Sequence, residues 1–138
     1  MITILHTNDI HGHLTSWQGW TDELEGKRVG GLDRLASAVE RVRREGSAVL
    51  LLDAGDLIGD TMIADLTQGE ALVRSFKAIG YDAVVPGNHE PDFGGQRLKS
   101  IIAKADFSVL AANLRTSDGE LLAQPYLIKD LAGTKVGI

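Results

Sequence analysis

The 138-residue sequence contains no cysteine, so it can form neither a disulfide bond nor a thiolate metal site. It also lacks an apolar run approaching the roughly 20 residues of a membrane-spanning helix, so no membrane partner is expected. Basic charge is scarce, because 14 Lys and Arg are set against 19 Asp and Glu, for a net charge of -5. Binding to a nucleic-acid polymer requires a basic surface, so that partner is not expected either.

The start of the chain has no signal-peptide pattern, because "MITIL" leads directly into a strand-like segment. The chain as written is therefore expected to be cytoplasmic, and periplasmic or extracellular if a signal peptide has been removed. The absence of cysteine is compatible with each of these compartments. A hydrophobic content of 43% is ordinary for a globular protein, so a buried core can form.

Apolar residues that alternate between strand-like runs and helical spacing predict an α/β fold. Four strands are predicted at residues 2–7, 48–56, 82–88 and 107–113, the first two of them buried. Three helices are predicted at residues 32–45, 72–79 and 98–105. Residues 12–30 show no clean periodicity and are predicted to form a long loop. The alternation indicates a mainly parallel sheet with right-handed crossover connections.

The C-terminal segment has a different pattern, since "PYLIKDLAGTKVGI" predicts two strands joined by a tight turn at residues 132–134. The chain stops within the second of these strands, without a polar stop signal. A sheet edge left there would expose unpaired backbone groups. We therefore expect residues 1–138 to be the N-terminal portion of a longer domain.

Polar side chains follow three of the predicted strands. Asp9 and His11 follow the first strand, Asp56 follows the second, and Asn88 and His89 follow the third. Ligands of open α/β sheets bind beyond the carboxyl ends of the strands, so these side chains are expected at one rim. Carboxylate, amide and imidazole groups suit Mn, Zn, Fe or Ni. Each pattern alone has an ordinary explanation as a turn or helix cap, but their joint occurrence predicts a metal site.

The segments "HTNDIHGHL", "LLDAGDLIGDT" and "VVPGNHEPDFGG" together resemble the calcineurin-like metallophosphoesterases. More narrowly, they resemble the 5′-nucleotidase branch, which includes UDP-sugar hydrolases and 2′,3′-cyclic phosphodiesterases. The resemblance implies part of a four-layer α/β/β/α sandwich with a dinuclear site for two divalent metal ions. It also implies hydrolysis of nucleotides or other small phosphate esters, by in-line attack of a metal-activated hydroxide.

The resemblance further implies a role for each matching residue. Asp9 and His11 would bind the first metal, Asp56 would bridge both metals, and Asn88 would bind the second. Two catalytic roles follow as well: His89 would stabilise the phosphoryl transition state, and Asp92 would orient His89.

Two departures from the family pattern affect these expectations. Pro91 stands where the family usually has an aromatic residue, and the downstream Gly-His-x-His segment that completes the metal shell has no match. Because the histidine ligands of that downstream segment are lacking, the 138-residue chain alone is expected to bind metal poorly and to be nearly inactive.

Several polar residues near these segments have weaker assignments. His6 is expected to be buried, either in the core or behind the ligands, and His13 is expected to lie on the site rim or the surface. Asp53 is expected to be structural. Glu90 either orients a ligand or is a solvated turn residue.

The remaining candidates lie farther along the loops. Asp60 and Thr61 are expected either at the edge of the site or at the cap of the next helix. Trp17 and Trp20 either stack on a nucleobase or, as we favour, anchor the long loop. Asn113 follows the fourth strand, where a bracing role is expected.

Two other functions are compatible with the sequence. The chain could be a non-catalytic binding or assembly module that pairs through an open sheet edge with another chain or a second copy. It could also belong to a related branch that hydrolyses thioester-like sulfur substrates.

Overall fold

The computed structural model describes residues 1–46 and 48–138. In chain order the elements are β1 (Ile2–Thr7), β2 (Trp17–Gln18), β3 (Arg28–Val29), α1 (Leu32–Arg44), β4 (Ala48–Asp53), α2 (Met62–Thr67), α3 (Glu70–Ile79), β5 (Ala83–Val84), α4 (Gly95–Lys104), β6 (Ser108–Val109), β7 (Ile128–Leu131) and β8 (Thr134–Gly137). None of the helices in the described part of the chain has the length and apolarity needed to cross a membrane.

The central element is a parallel four-stranded sheet in the order β1-β4-β5-β6. β1 and β4 pair along their whole lengths, from Ile2 opposite Ala48 to Thr7 opposite Asp53. Each later strand is added on the same side, so successive right-handed crossovers place the helices on one face of the sheet. The predicted α/β fold with a mainly parallel sheet is confirmed.

The core lies between the sheet and these helices. Leu51 of β4 and Val84 of β5 pack against Leu72 and Phe76 of α3, and all four side chains are buried. The Phe76 ring stacks on Tyr81 with centroids 3.9 Å apart. This packing fixes the start of β5 relative to β4, and thereby the separation of the loops that follow them.

The C-terminal strands form an antiparallel hairpin, as predicted. Ala132 and Gly133 connect β7 to β8 with φ values of 52° and 83°, the left-handed pair that a two-residue hairpin turn requires. The hairpin lies against the sheet where β7 runs near β4; Leu131 is buried, and Lys129 forms an ion pair with Asp82.

The prediction that β1 is a buried strand is wrong. β1 lies at the edge of the described sheet, and Ile4 is 58% exposed. Because side chains alternate along a strand, His6 shares the face of Ile4 and is also exposed. The expectation that His6 is buried, either in the core or behind the ligands, is therefore wrong as well, because its side chain lies on the exposed outer face of β1.

Local structure departs from the predictions in three further ways. The predicted loop at residues 12–30 contains the β2–β3 hairpin, which is too short to produce a periodic pattern. β5 and β6 are shorter than the apolar runs that predicted them. The short helix α2 begins after Thr61, whose Oγ1 accepts a hydrogen bond from Ala64 N at 3.3 Å.

Candidate metal centre

The loop after β1 runs alongside the loop after β4. Asp9 N donates a hydrogen bond to Gly55 O at 2.9 Å, and His11 N donates to Asp56 O at 2.9 Å. These bonds extend the parallel pairing of β1 and β4 beyond the ends of the strands. Two of the three polar segments predicted to meet at the carboxyl edge are thus fixed to each other through the backbone.

The third segment, after β5, contacts the second through Asp56. His89 N donates to Asp56 Oδ1 at 3.0 Å. Gly87 lies so close that a Cβ on it would be 2.2 Å from Asp56 Oδ1 and 2.6 Å from Asp56 N. Only glycine fits this position, and its lack of a side chain lets the two loops touch.

Three residues of this region have left-handed backbone conformations, which side chains other than glycine rarely adopt. The φ values are 53° at Asp9, 46° at His11 and 56° at Asp56. Such conformations cost up to about 1–2 kcal/mol each, and aspartate tolerates them better than most residues. The cost is concentrated where the predicted ligands lie, a distribution typical of functional sites.

The side chains of His11, Asp56 and His89 form a compact cluster. Each offers one ligand atom, and these atoms lie within 4.8 Å of one another. His11 Nδ1 is buried without a hydrogen-bond partner among the described residues. A buried polar atom in that condition is costly, and two imidazoles beside a carboxylate are a favourable set for Mn, Zn, Fe or Ni. The residues present therefore fit a divalent cation.

The cluster is not identical to the ligand set that the resemblance implied. His89 belongs to the cluster, whereas the resemblance gives it a catalytic role. Asp9 lies at its margin, with a side chain 56% exposed and Oδ1 3.5 Å from His11 Nε2. Asn88 is exposed and directly precedes His89 in the chain. The structure thus brings His11, Asp56 and His89 together, with Asp9 at the margin of the cluster.

His89 is hydrogen-bonded to Asp92, with Nδ1 and Oδ2 separated by 2.8 Å. This bond raises the pKa of His89 above its ordinary value, and the charges of Asp92, Asp56 and Asp60 act in the same direction. The ring of His89 also meets the ring of His11 edge to face, with centroids 4.9 Å apart. Because Nδ1 is engaged, Nε2 is the nitrogen of His89 left for another partner.

Two buried carboxylates support the loops from behind. Asp53, only 3% exposed, accepts hydrogen bonds from Thr7 Oγ1 at 2.6 Å and Gly55 N at 2.9 Å. Burial raises the pKa of Asp53 to about 6. Glu90 is 6% exposed, so it is not a solvated turn residue. The sequence left the role of Glu90 open, and its burial could not be read from the polar segment around it.

The other candidates lie around the rim. The Asp60 side chain is exposed, with Oδ2 3.7 Å from His11 Nδ1. Thr61 caps α2 and also donates to Gly12 O at 3.3 Å. Asp60 therefore lies at the edge of the site, as one expectation had it, and Thr61 caps a helix, as the other had it. Asn113 is exposed.

The aromatic residues of the long loop differ in their burial. Trp17 packs over Gly30, where a Cβ would lie 2.0 Å from the indole. Trp17 therefore anchors the loop, which is the role favoured from the sequence. His13 is exposed with its ring 4.9 Å from that of Trp17. Trp20 is 80% exposed and stacks on Trp17 with centroids 6.2 Å apart, so the favoured expectation that Trp20 anchors the loop to the core is wrong.

The cluster of histidine and carboxylate side chains lies at the carboxyl edge of a parallel sheet, where open α/β sheets bind their ligands. Residues 2–133 match the family model described as calcineurin-like phosphoesterase. The chain therefore belongs to the calcineurin-like phosphoesterase family.

Named relatives are similar to almost the whole chain. It is 38% identical over 146 residues to a 5′-nucleotidase of Bos taurus, a match covering 99% of this chain and 25% of the relative. It is 35% identical to Protein UshA of Yersinia enterocolitica, covering 99% of this chain and 24% of the relative. The crystal structure of a 5′-nucleotidase precursor from Thermus thermophilus superposes with a TM-score of 0.89 at 32% identity, covering 99% of this chain and 27% of that one. The chain spans about a quarter of the length of these proteins.

Proposed function

We propose that this protein is a metal-dependent hydrolase of phosphate esters, with nucleotides as its main substrates. The observation that carries the proposal is the cluster of His11, Asp56 and His89 at the carboxyl edge of the sheet, with ligand atoms within 4.8 Å of one another. The similarity to proteins named 5′-nucleotidase supports the choice of nucleotides.

We propose that Asp9, His11, Asp56 and Asn88 hold two divalent ions, of Mn, Zn, Fe or Ni. Such ions, when bound, supply positive charge for the phosphate oxygens and Lewis acidity toward water. Asp56 suits a bridging position because a carboxylate has two oxygens, and only Oδ1 receives the His89 N–H. The backbone bonds between the loops of Asp9 and Asp56 hold the first ligands at a fixed separation.

We propose that His89 acts on the phosphoryl group and that Asp92 orients it. In this proposal Asp92 Oδ2 accepts a hydrogen bond from the Nδ1–H of His89, which fixes the ring and leaves Nε2 for another partner. The raised pKa of His89 favours a proton on Nε2. A protonated imidazole at this position donates a hydrogen bond to an oxygen on which negative charge develops.

Metal binding to the chain itself tests the site. We expect Mn²⁺, followed by electron paramagnetic resonance, to bind weakly to the wild type and not measurably to His11→Ala. His6→Ala is the matched control, because His6 is exposed on the outer face of β1 and should bind like wild type. Equal binding by all three forms, or none by the wild type, would contradict the proposed site.

Activity tests the reaction. We expect slow, Mn²⁺-dependent release of phosphate from AMP, abolished by EDTA and by His89→Ala. The rate should be far below that of a complete 5′-nucleotidase, because the four proposed ligands are few for two ions. Turnover comparable to a complete relative would contradict this incomplete shell.

A second candidate function is assembly through a sheet edge. It is favoured by β1, which lies at the edge of the described sheet and exposes Ile4. Sedimentation velocity across a range of concentrations tests it. A strictly monomeric, folded chain would argue against assembly.

A further inference from the structure

We infer that Glu90 is the positioning residue of the metal site, holding the loops after β4 and β5 together before any ion binds. The inference rests on the proposed function, since it assigns Glu90 a role toward the proposed ligands. Glu90 is not proposed to touch the substrate or the reacting atoms. It acts through the backbone that presents Asp56 and His89.

The Glu90 carboxylate accepts three backbone hydrogen bonds from two loops. Its Oε2 accepts from Asp56 N at 3.1 Å and also from Gly87 N, and its Oε1 accepts from Ile58 N at 3.0 Å. Asp56 and Ile58 belong to the loop after β4, whereas Gly87 belongs to the loop after β5. One side chain therefore connects the backbone segments that carry a proposed bridging ligand and a proposed catalytic histidine.

These three amides are the main compensation for a buried charge. Glu90 is 6% exposed and lines a cavity together with the apolar residues Leu57, Val84 and Pro86. Within the described part of the chain, it forms no ion pair with a basic side chain. A buried carboxylate requires strong hydrogen-bond donors, and amides can satisfy it only if they are held in convergent positions. The carboxylate and the two loops thus fix each other.

The loop after β4 requires such a restraint. Asp56 has a left-handed backbone with φ of 56°, and its amide is the one that Glu90 accepts. Gly87 touches the same peptide, so a small shift of either loop would move Asp56 Oδ1 away from His89 N. Holding the Asp56 amide therefore holds the direction of the Asp56 carboxylate.

The test is Glu90→Gln, which keeps the shape but replaces one acceptor oxygen with an NH₂ group. In either orientation of the amide, that group faces at least one backbone N–H, so the three bonds cannot all form. We expect the Mn²⁺ affinity to fall 10–100-fold, the loss typical of residues that orient metal ligands. The matched control is Val39→Ala on α1, a buried substitution outside the metal cluster. It should lower thermal stability with less than about a threefold change in Mn²⁺ affinity.

A second measurement needs no metal and no variant. In the metal-free wild type, the amide protons of Asp56, Ile58 and Gly87 should resonate downfield and exchange slowly, because each donates to a carboxylate. If Glu90→Gln fails to fold, Glu90→Asp replaces it in the affinity measurement. The shorter carboxylate of aspartate cannot reach both loops, so the same loss of Mn²⁺ affinity is expected.

The outcomes separate this inference from the proposed function. Wild type that binds Mn²⁺, with Glu90→Gln binding equally well, would overturn the role of Glu90 and leave the metal site intact. Fast exchange of all three amides in the metal-free wild type would also overturn it. Absence of Mn²⁺ binding by the wild type would refute the metal site, and the role of Glu90 with it.

Discussion

Replacing Asp53 with asparagine should remove a large pH-dependent contribution to the stability of the metal-free chain. Asp53 is buried at the end of β4, between Thr7 Oγ1 and Gly55 N. Asparagine can satisfy the same partners, with its oxygen accepting from Gly55 N and its NH₂ donating to the Thr7 hydroxyl. The substitution therefore changes the charge of the site while keeping its hydrogen bonds.

The magnitude follows from the pKa of Asp53, which burial raises from 3.8 to about 6. Between these values the folded state binds the proton more tightly than the unfolded state, so the free energy of unfolding falls as pH rises. This contribution is complete below 3.8 and is lost as pH passes through about 6. One pKa unit corresponds to about 1.4 kcal/mol, so the loss is about 3 kcal/mol.

Urea unfolding in EDTA, followed by circular dichroism from about pH 3.5 to about pH 7.5, measures this contribution. The stability of Asp53→Asn relative to wild type should rise by about 3 kcal/mol across that range. Asp65→Asn, on the exposed surface of α2, is the control and should follow wild type. A difference between Asp53→Asn and wild type that does not change with pH would refute the reasoning.

Two further predictions concern the loop after β5. Gly87→Ala should displace the Asp56 carboxylate and destabilise the fold by about 1–3 kcal/mol, as overpacking does. Gly95→Ala is the control and should cause neither effect, because a Cβ at Gly95 meets nothing within 4 Å. Thermal melts of the two variants measure the destabilisation, and Mn²⁺ titrations measure the displacement of Asp56. Equal behaviour of the two variants would contradict the close contact between Gly87 and Asp56. Asp92→Asn should lower the pKa of His89, because their hydrogen bond is the largest cause of its elevation. An imidazole NMR titration measures it, and an unchanged pKa would rule that cause out.

The sequence predicted the parts of the fold that repeat a strong pattern. β1, β4, α1 and α3 were recognisable because their apolar periodicity is long enough to distinguish strand from helix. α2 and the β2–β3 hairpin were missed, since the six residues of α2 make fewer than two helical turns and the two-residue strands β2 and β3 are too short to show alternation. The β2–β3 hairpin depends on the packing of Trp17, which is a tertiary feature, whereas the Thr61 hydroxyl that caps α2 is a local signal and a cap candidate in the sequence.

The convergence of the candidate site was predictable, but its internal arrangement was not. Asp9, His11 and Asp56 follow strands that lie side by side, so their meeting at one edge required only the sheet topology. The burial of Glu90 depends on the close approach of two loops at Gly87, which no spacing in the sequence encodes. The exposure of His6 was not predictable either, because an apolar strand pattern does not indicate whether both faces of the strand will be covered.

Both tryptophans of the chain lie in one segment, at positions 17 and 20, outside the core around Phe76. Trp17 and Asp9 line the same groove beside α1, and Trp20 stacks on Trp17. The intrinsic fluorescence of this protein is therefore a local optical probe of the loop behind the first proposed ligands. Fluorescence should respond to events at Asp9 that circular dichroism, dominated by the backbone of the whole chain, averages away.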